Sequence, residues 1–234
     1  KISLYLWDNA KNIPGIERLA AVCDRVLTFD PGDSHKSGWS FLPLFSRFSP
    51  RAPQLTENLP YDWSFIGSLH SDRHLVLRGL VKANPQLKYF VHCYSQNVMA
   101  GFLRSYRDPA AVLSREIPVT SAHLAVSEVQ RISAQSKAVV DIEHPEQTGL
   151  TMRTIESLLQ GQKLITTNAS LLDYDLYDPT RACVIDRERP VIPESFLNEP
   201  FRAIPNGVAD VYHIDSWLRE LLGFLAMGGA SDVR

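Results

Sequence analysis

Residues 139–167, VVDIEHPEQTGLTMRTIESLLQGQKLITT, divide into pieces of different periodicity. An apolar, β-branched run at 138–142 predicts a strand, and a polar, turn-rich loop follows at 143–148. After Gly149, the residues Leu150, Ile155, Leu158 and Leu159 recur at helical spacing, and Lys163-Leu-Ile-Thr-Thr begins a second strand almost at once. Gly161 falls where a helix C-terminus needs positive φ. The order is strand, loop, helix, strand, which predicts an α/β fold with a Rossmann-like parallel sheet.

In such a unit the loop before the helix lies at the carboxyl edge of the sheet. Its backbone N–H groups and the positive end of the helix dipole point outward and favour anions. Gly149 permits close approach of a ligand to the backbone, Thr148 and Thr151 offer hydroxyls, and Arg153 and Glu156 lie in the first turns. A βαβ unit that only packs carries the same periodicity, so the pattern alone leaves both readings open.

Working outward, 234 residues at 44% hydrophobic suffice for one substantial core or two small ones. A net charge of −2 gives no basic excess for nucleic acid. Cys23, Cys93 and Cys183 are widely spaced with no CxxC pair, so neither a disulfide framework nor a zinc site is predicted and a reducing cytoplasm fits. No apolar run reaches transmembrane length and no signal-peptide pattern opens the sequence. Because Lys1 runs directly into ISLYLW, the expectation is a fragment whose first strands lie upstream.

Residues 2–7 read as a strand, 16–22 as a short amphipathic helix, 25–29 as a strand, 30–33 (Asp-Pro-Gly-Asp) as a turn and 39–45 as extended. Trp7 reads as a core aromatic and Asp8 as a capping or turn residue. Residues 46–60 carry Pro50, Pro53 and Pro60 and form the linker. Beyond it come strand 63–66, a loop at 67–71, helix 72–83 and strand 88–94, a βαβ opening whose glycines are too few for a dinucleotide fingerprint. Helices follow at 97–113, where Arg104 and Arg107 share a face, and at 121–136. Later come a short helix or turn at 169–176, a strand at 182–185, extended chain around Pro190 and Pro193, an amphipathic helix at 214–224 and a frayed end. The predicted division is residues 1–57, 58–210 and 211–234.

GLTMRTIESLLQGQKLITT (149–167) resembles the donor-site segment of GT-B glycosyltransferases: a glycine loop, a helix bearing a Glu, a glycine, and a strand ending in Thr. It is most similar to the bacterial branch of lipopolysaccharide or capsular polysaccharide synthesis, related to the CgeB-like proteins. The resemblance extends to residues 5–30, 67–74 and 174–197 and implies a GT-B-like fold, with a donor domain and a partial N-terminal α/β domain. It places Glu156 on the Glu that binds the ribose of a nucleotide sugar, while the family's second Glu, eight residues earlier, is Thr148 here, preceded by Gln147. The family pattern for a retaining mechanism is therefore incomplete.

Gly67-Ser-Leu-His-Ser-Asp-Arg-His aligns with a loop that usually reads Gly-Arg-Leu, three residues, then Lys-Gly. Arg73 stands at the position of that diphosphate-contacting Lys, and Ser68 replaces the Arg. The resemblance thus implies a donor site from Gly67, Ser68, Arg73, His144, Gln147 and Thr148, continuing through Gly149, Leu150, Thr151, Arg153 and Glu156. Asp8 and Asn9 fall on the acceptor side, and Asp8 and His70 are the catalytic candidates, His70 because an imidazole in a phosphate loop can donate or move a proton. The implied activity is metal-independent transfer from a nucleotide diphosphate sugar to a glycan or glycolipid acceptor, with no cofactor, in the cytoplasm or peripherally at the inner membrane. A degenerate, non-catalytic scaffold and a sugar-nucleotide-modifying enzyme are the alternatives. Asp173-Tyr174-Asp175 matches a metal-binding DxD but follows a helical turn late in the chain, without the earlier nucleotide-binding region such a fold requires. His70 with His74 stand at i, i+4 with no third ligand in evident reach, and His74 reads as exposed.

Overall fold

The computed structural model describes residues 1–54, 58–96 and 117–223. The first unit is a parallel sheet of β1 (Ser3–Leu6), β2 (Arg25–Thr28) and β3 (Ser40–Phe41), in that order, with α1 (Ile16–Ala20) and α2 (Pro31–Ser37) in the crossovers. The second is a parallel sheet built from β4 (Tyr61–Ser68), α3 (Arg73–Ala83), β5 (Tyr89–Tyr94), β6 (Val119–Thr120), α4 (Val126–Ala134) and β7 (Ser136–Asp141). It is completed by α5 (Met152–Leu159), β8 (Lys163–Thr166) and β9 (Ala182–Val184). Its strand order is β6-β5-β4-β7-β8-β9, a doubly wound Rossmann arrangement. Helices α6 (Glu194–Asn198), α7 (Asn206–Val211) and α8 (Ile214–Leu221) finish the described chain.

The signals around 139–167 operate as read. Thr151 caps α5 by accepting from the Thr154 N–H. Gly161 adopts φ 72°, and the N–H groups of Gly161 and Gln162 donate to the carbonyls of Leu158 (3.0 Å) and Ser157 (3.0 Å), a Schellman ending. By contrast, Asp30-Pro-Gly-Asp is not a turn. Asp30 accepts from the Asp33 N–H and Pro31 opens α2, because turn residues are also the residues that start helices. The predicted extended piece at 39–45 pairs only at β3, and the helix expected over 121–136 is confined to α4 because Ser136 already belongs to β7. The chain read as extended after Pro193 instead forms α6, since a proline can precede a helix, and α7 was not predicted. The helix expected at 97–113 and the frayed end lie outside the described residues.

Trp63, Phe65, Val76, Leu77, Leu80, Val140 and Ile142 form the core on the α3 face. Burying each large apolar side chain contributes about 1.5–3 kcal/mol. The opposite face packs Leu150, Ile155, Leu158 and Leu164 against Phe29 and Leu44, so the two units share apolar surface. Helix α8 returns to the first unit: Trp217 packs on Leu27 and Leu42 and sits edge-on to Tyr5 at 4.8 Å, and Arg25 pairs with Glu220 at 2.5 Å. The two chain crossings between units lie side by side, where Ser46 N–H donates to the Tyr212 carbonyl (2.7 Å) and Ile214 N–H to that of Ser46 (3.0 Å). Trp7, expected in the core, is 65% exposed at the end of β1, and His74, expected at the surface, is 2% exposed. Among the described residues no helix is long and apolar enough to cross a membrane.

Candidate functional site

Strands β4 and β7 are neighbours, yet the chain leaves β4 towards β5 and leaves β7 towards β8, in opposite directions. The crevice beyond their carboxyl ends is where doubly wound sheets bind ligands. Two loops form it, 69–72 and 142–151.

Arg73 lies beneath the first loop rather than in it. Its Nε donates to the Ile142 carbonyl at 2.6 Å and Nη1 to that of Ser68 at 2.8 Å, tying β4 to the end of β7. Burial, partly offset by Asp141, lowers its pKa to about 10. Arg153 meets the same Phe65 ring, with both guanidinium carbons 5.7 Å from the ring centroid. Arg153 donates to the Ile66 carbonyl (2.5 Å) and approaches Asp141 (3.4 Å). Gly67 has no room for a side chain here, since a Cβ would come within 2.9 Å of Phe65.

The second loop is pinned from several sides. Buried Asp141 accepts from the hydroxyls of Thr151 and Thr154. The Gly149 carbonyl accepts from the side chains of Gln147 (2.9 Å) and Asn168 (3.1 Å). Buried Glu143 accepts from Arg187 (2.6 Å) and Thr167 (2.6 Å), and Arg187 also bonds Asp72 (2.8 Å), joining the two loops. Leu150 is in the core rather than the crevice, because its side chain anchors the start of α5. The amides of Thr148 and Gly149 face Asp30 of the first unit.

His70 and His144 stack across the two loops at 6.2 Å. Burial, then the positive charge of Arg73, pushes the His70 pKa down to about 4, and His144 is lowered by burial and by Lys11. His70 is therefore neutral near pH 7. An NMR titration of its ring is expected to show a midpoint near 4, against about 6.5 for a free His. Between those values the unfolded chain binds more protons, so stability rises with pH and the gain is complete above about 6.5. The slope should shrink in His70→Gln, and a His70 midpoint near 6.5 would remove this account.

Glu156 lines a cavity of about 780 Å³ with Arg47, Ile66, Val126 and Arg153. Burial raises its pKa even though Arg47 and Arg153 oppose the shift. An adjoining cavity of about 330 Å³ is lined by Gly67, Ser68, His92, Tyr94 and His123, and shares Ile66 and Arg153 with the first. The Tyr94 and His123 rings lie 4.1 Å apart. Volumes of this order suit a nucleotide-sized ligand. Gly67 and Ser68 thus line the second cavity, Glu156 the first, and Arg153 both. Asp8 lies apart at the exposed end of β1, accepting from Asn9 N–H and the Asn12 side chain.

Sequence reasoning did not single out Arg47, His92, His123, Asp141, Glu143 or Arg187. For Asp141 and Glu143 a signal existed, charged residues at a strand's carboxyl end. Asp173 and Asp175 are exposed, and no cluster of three or more potential metal ligands occurs among the described residues.

No family model matches the sequence, and no curated protein matches it. Solved structures do. The lipopolysaccharide outer core galactosyltransferase WaaB superposes with TM-score 0.55 at 12% identity, over 97% of this chain and 68% of its own. Anabaena HepE, in complex with UDP and glucose, gives TM-score 0.63 at 9% identity, over 96% of this chain and 71% of its own. A glycosyltransferase from Rickettsia africae gives 0.56 at 11%, over 91% and 66%. With two parallel sheets whose loops meet at a crevice, the second of them doubly wound, the chain has the GT-B fold.

Proposed function

We propose that the chain belongs to an enzyme that moves a sugar from a nucleotide diphosphate sugar to a glycan or glycolipid acceptor of bacterial surface polysaccharide. The observation that carries this reading is the placement of Glu156 and Arg153 in a cavity against β4 and β7 of a GT-B fold, adjoining the one lined by Gly67 and Ser68 at the end of β4. In the proposed complex the Glu156 carboxylate accepts from two ribose hydroxyls, and the His123–Tyr94 pocket holds the base. Arg153 and the Thr148–Gly149 amides offset negative charge on the leaving diphosphate as the glycosidic bond to it breaks, so no metal is invoked. Three unpaired cysteines fit a reducing compartment, the cytoplasm or the inner face of its membrane.

His70, neutral in the 69–72 loop, is suited to donate a hydrogen bond but not to serve as an acid near pH 7. Asp8, exposed, remains the proposed acceptor-side carboxylate. The test is calorimetric titration with UDP, GDP, ADP and CMP. One diphosphate is expected to bind, and Glu156→Ala to weaken it by about 1.5–3 kcal/mol, about ten- to a hundredfold. Absence of binding to the folded chain at millimolar nucleotide would defeat the reading.

A further inference from the structure

The loop that opens α5 does not present free amides to the crevice. Asp30, only 1% exposed, is seated on them. Its Oδ2 accepts from the N–H groups of Thr148 (2.8 Å) and Gly149 (3.0 Å), and its Oδ1 from the Thr148 hydroxyl (2.6 Å). That hydroxyl in turn accepts from the Gly32 N–H (3.0 Å). A carboxylate therefore already occupies the place where backbone donors and the helix dipole favour an anion. Burial alone would raise the Asp30 pKa, but these donors and the Asp33 N–H hold it below the usual range, so the group is charged at neutral pH.

The carboxylate belongs to the other unit. Asp30 follows β2, and Phe29 beside it packs against Gly149. A Lys11–Glu146 ion pair spans the same gap. The paired crossings at Ser46 and His213 leave both connections between units at one place, a geometry suited to a hinge.

We propose that Asp30 is a built-in competitor for the donor's phosphate: it holds the two units together over the Thr148–Gly149 amides, and diphosphate must displace it and open that contact to bind. This rests on the donor-site reading above. Binding and opening are then linked, and the affinity measured for the intact chain is reduced by the fraction of molecules in which Asp30 is seated.

The experiment titrates inorganic pyrophosphate and UDP into the intact chain and into Asp30→Ala and Asp30→Asn. Asn keeps an oxygen able to cap α2, which guards against a folding defect in the Ala variant. Hydrogen exchange at the Thr148 and Gly149 amides is followed alongside. Both variants are expected to bind pyrophosphate at least about tenfold tighter than the parent, with faster exchange at the two amides without ligand and renewed protection when pyrophosphate is added. Folded variants whose pyrophosphate affinity is unchanged, weaker or undetectable overturn the proposal. Gain in pyrophosphate binding with no additional affinity for UDP or another nucleotide would uphold the competitor and defeat the nucleotide-sugar reading, so the two failures are distinct.

Discussion

Arg73→Ala is expected to lower stability by about 3 kcal/mol, read as a fall in the urea midpoint at unchanged slope. The arginine is only 8% exposed, and its removal strands the carbonyls of Ile142 and Ser68, which it joins. The Ile142 carbonyl is buried, where an unsatisfied acceptor costs about 1–3 kcal/mol, and its bond from a charged donor is at the strong end of that range; the Ser68 carbonyl, on an exposed residue, adds less. Arg73→Lys is expected to recover little, because an ammonium on a flexible stem does not reproduce the fork that meets both carbonyls. An arginine serving only as a phosphate ligand would leave the ligand-free midpoint where it was. That outcome would discard the clip and return Arg73 to the donor site on which the resemblance places it.

Gly149→Ala should cost about 2–3 kcal/mol, the upper range for a forced methyl in a packed interior. A Cβ there would lie 2.6 Å from two ring carbons of Phe29 and 2.7 Å from its carbonyl oxygen. Phe29 is itself 2% exposed and cannot swing aside. The substitution therefore pushes apart the two units where Asp30 joins them. Combining it with Phe29→Ala should cost less than the sum of the two, because the pair is in contact. Gly207→Ala is the control: nothing lies within 4 Å of its added methyl, and a helical Ala is expected to be neutral or stabilising by up to about 1 kcal/mol. Equal effects at 149 and 207 would show that the close approach to Phe29 is absent.

The strand, loop, helix and strand of 138–167 were legible because each depends on neighbours in sequence. Apolar spacing set the buried face of α5, and Gly161 marked its end, where a residue at positive φ satisfies the last carbonyls. The position of Gly67 and Ser68 at the carboxyl edge of the sheet, with Arg153 in the first turn of the helix that follows β7, also follows from topology once the parallel order is read. The direction in which a polar side chain points does not. Arg73 has the same sequence whether it meets phosphate or two carbonyls, and which it meets depends on how close β7 comes to β4. Asp30 read as part of a turn, since its partner amides lie 118 and 119 residues away.

What the sequence determined by itself is the α/β alternation, the parallel sheet and the loop at its carboxyl edge, because short-range periodicity and backbone conformation govern them. Only the tertiary structure decided which charges face the crevice and which are spent holding it together. Burial makes an unpaired charge costly, so Arg73, Asp141, Glu143 and Asp30 each take partners from wherever the packed chain supplies them.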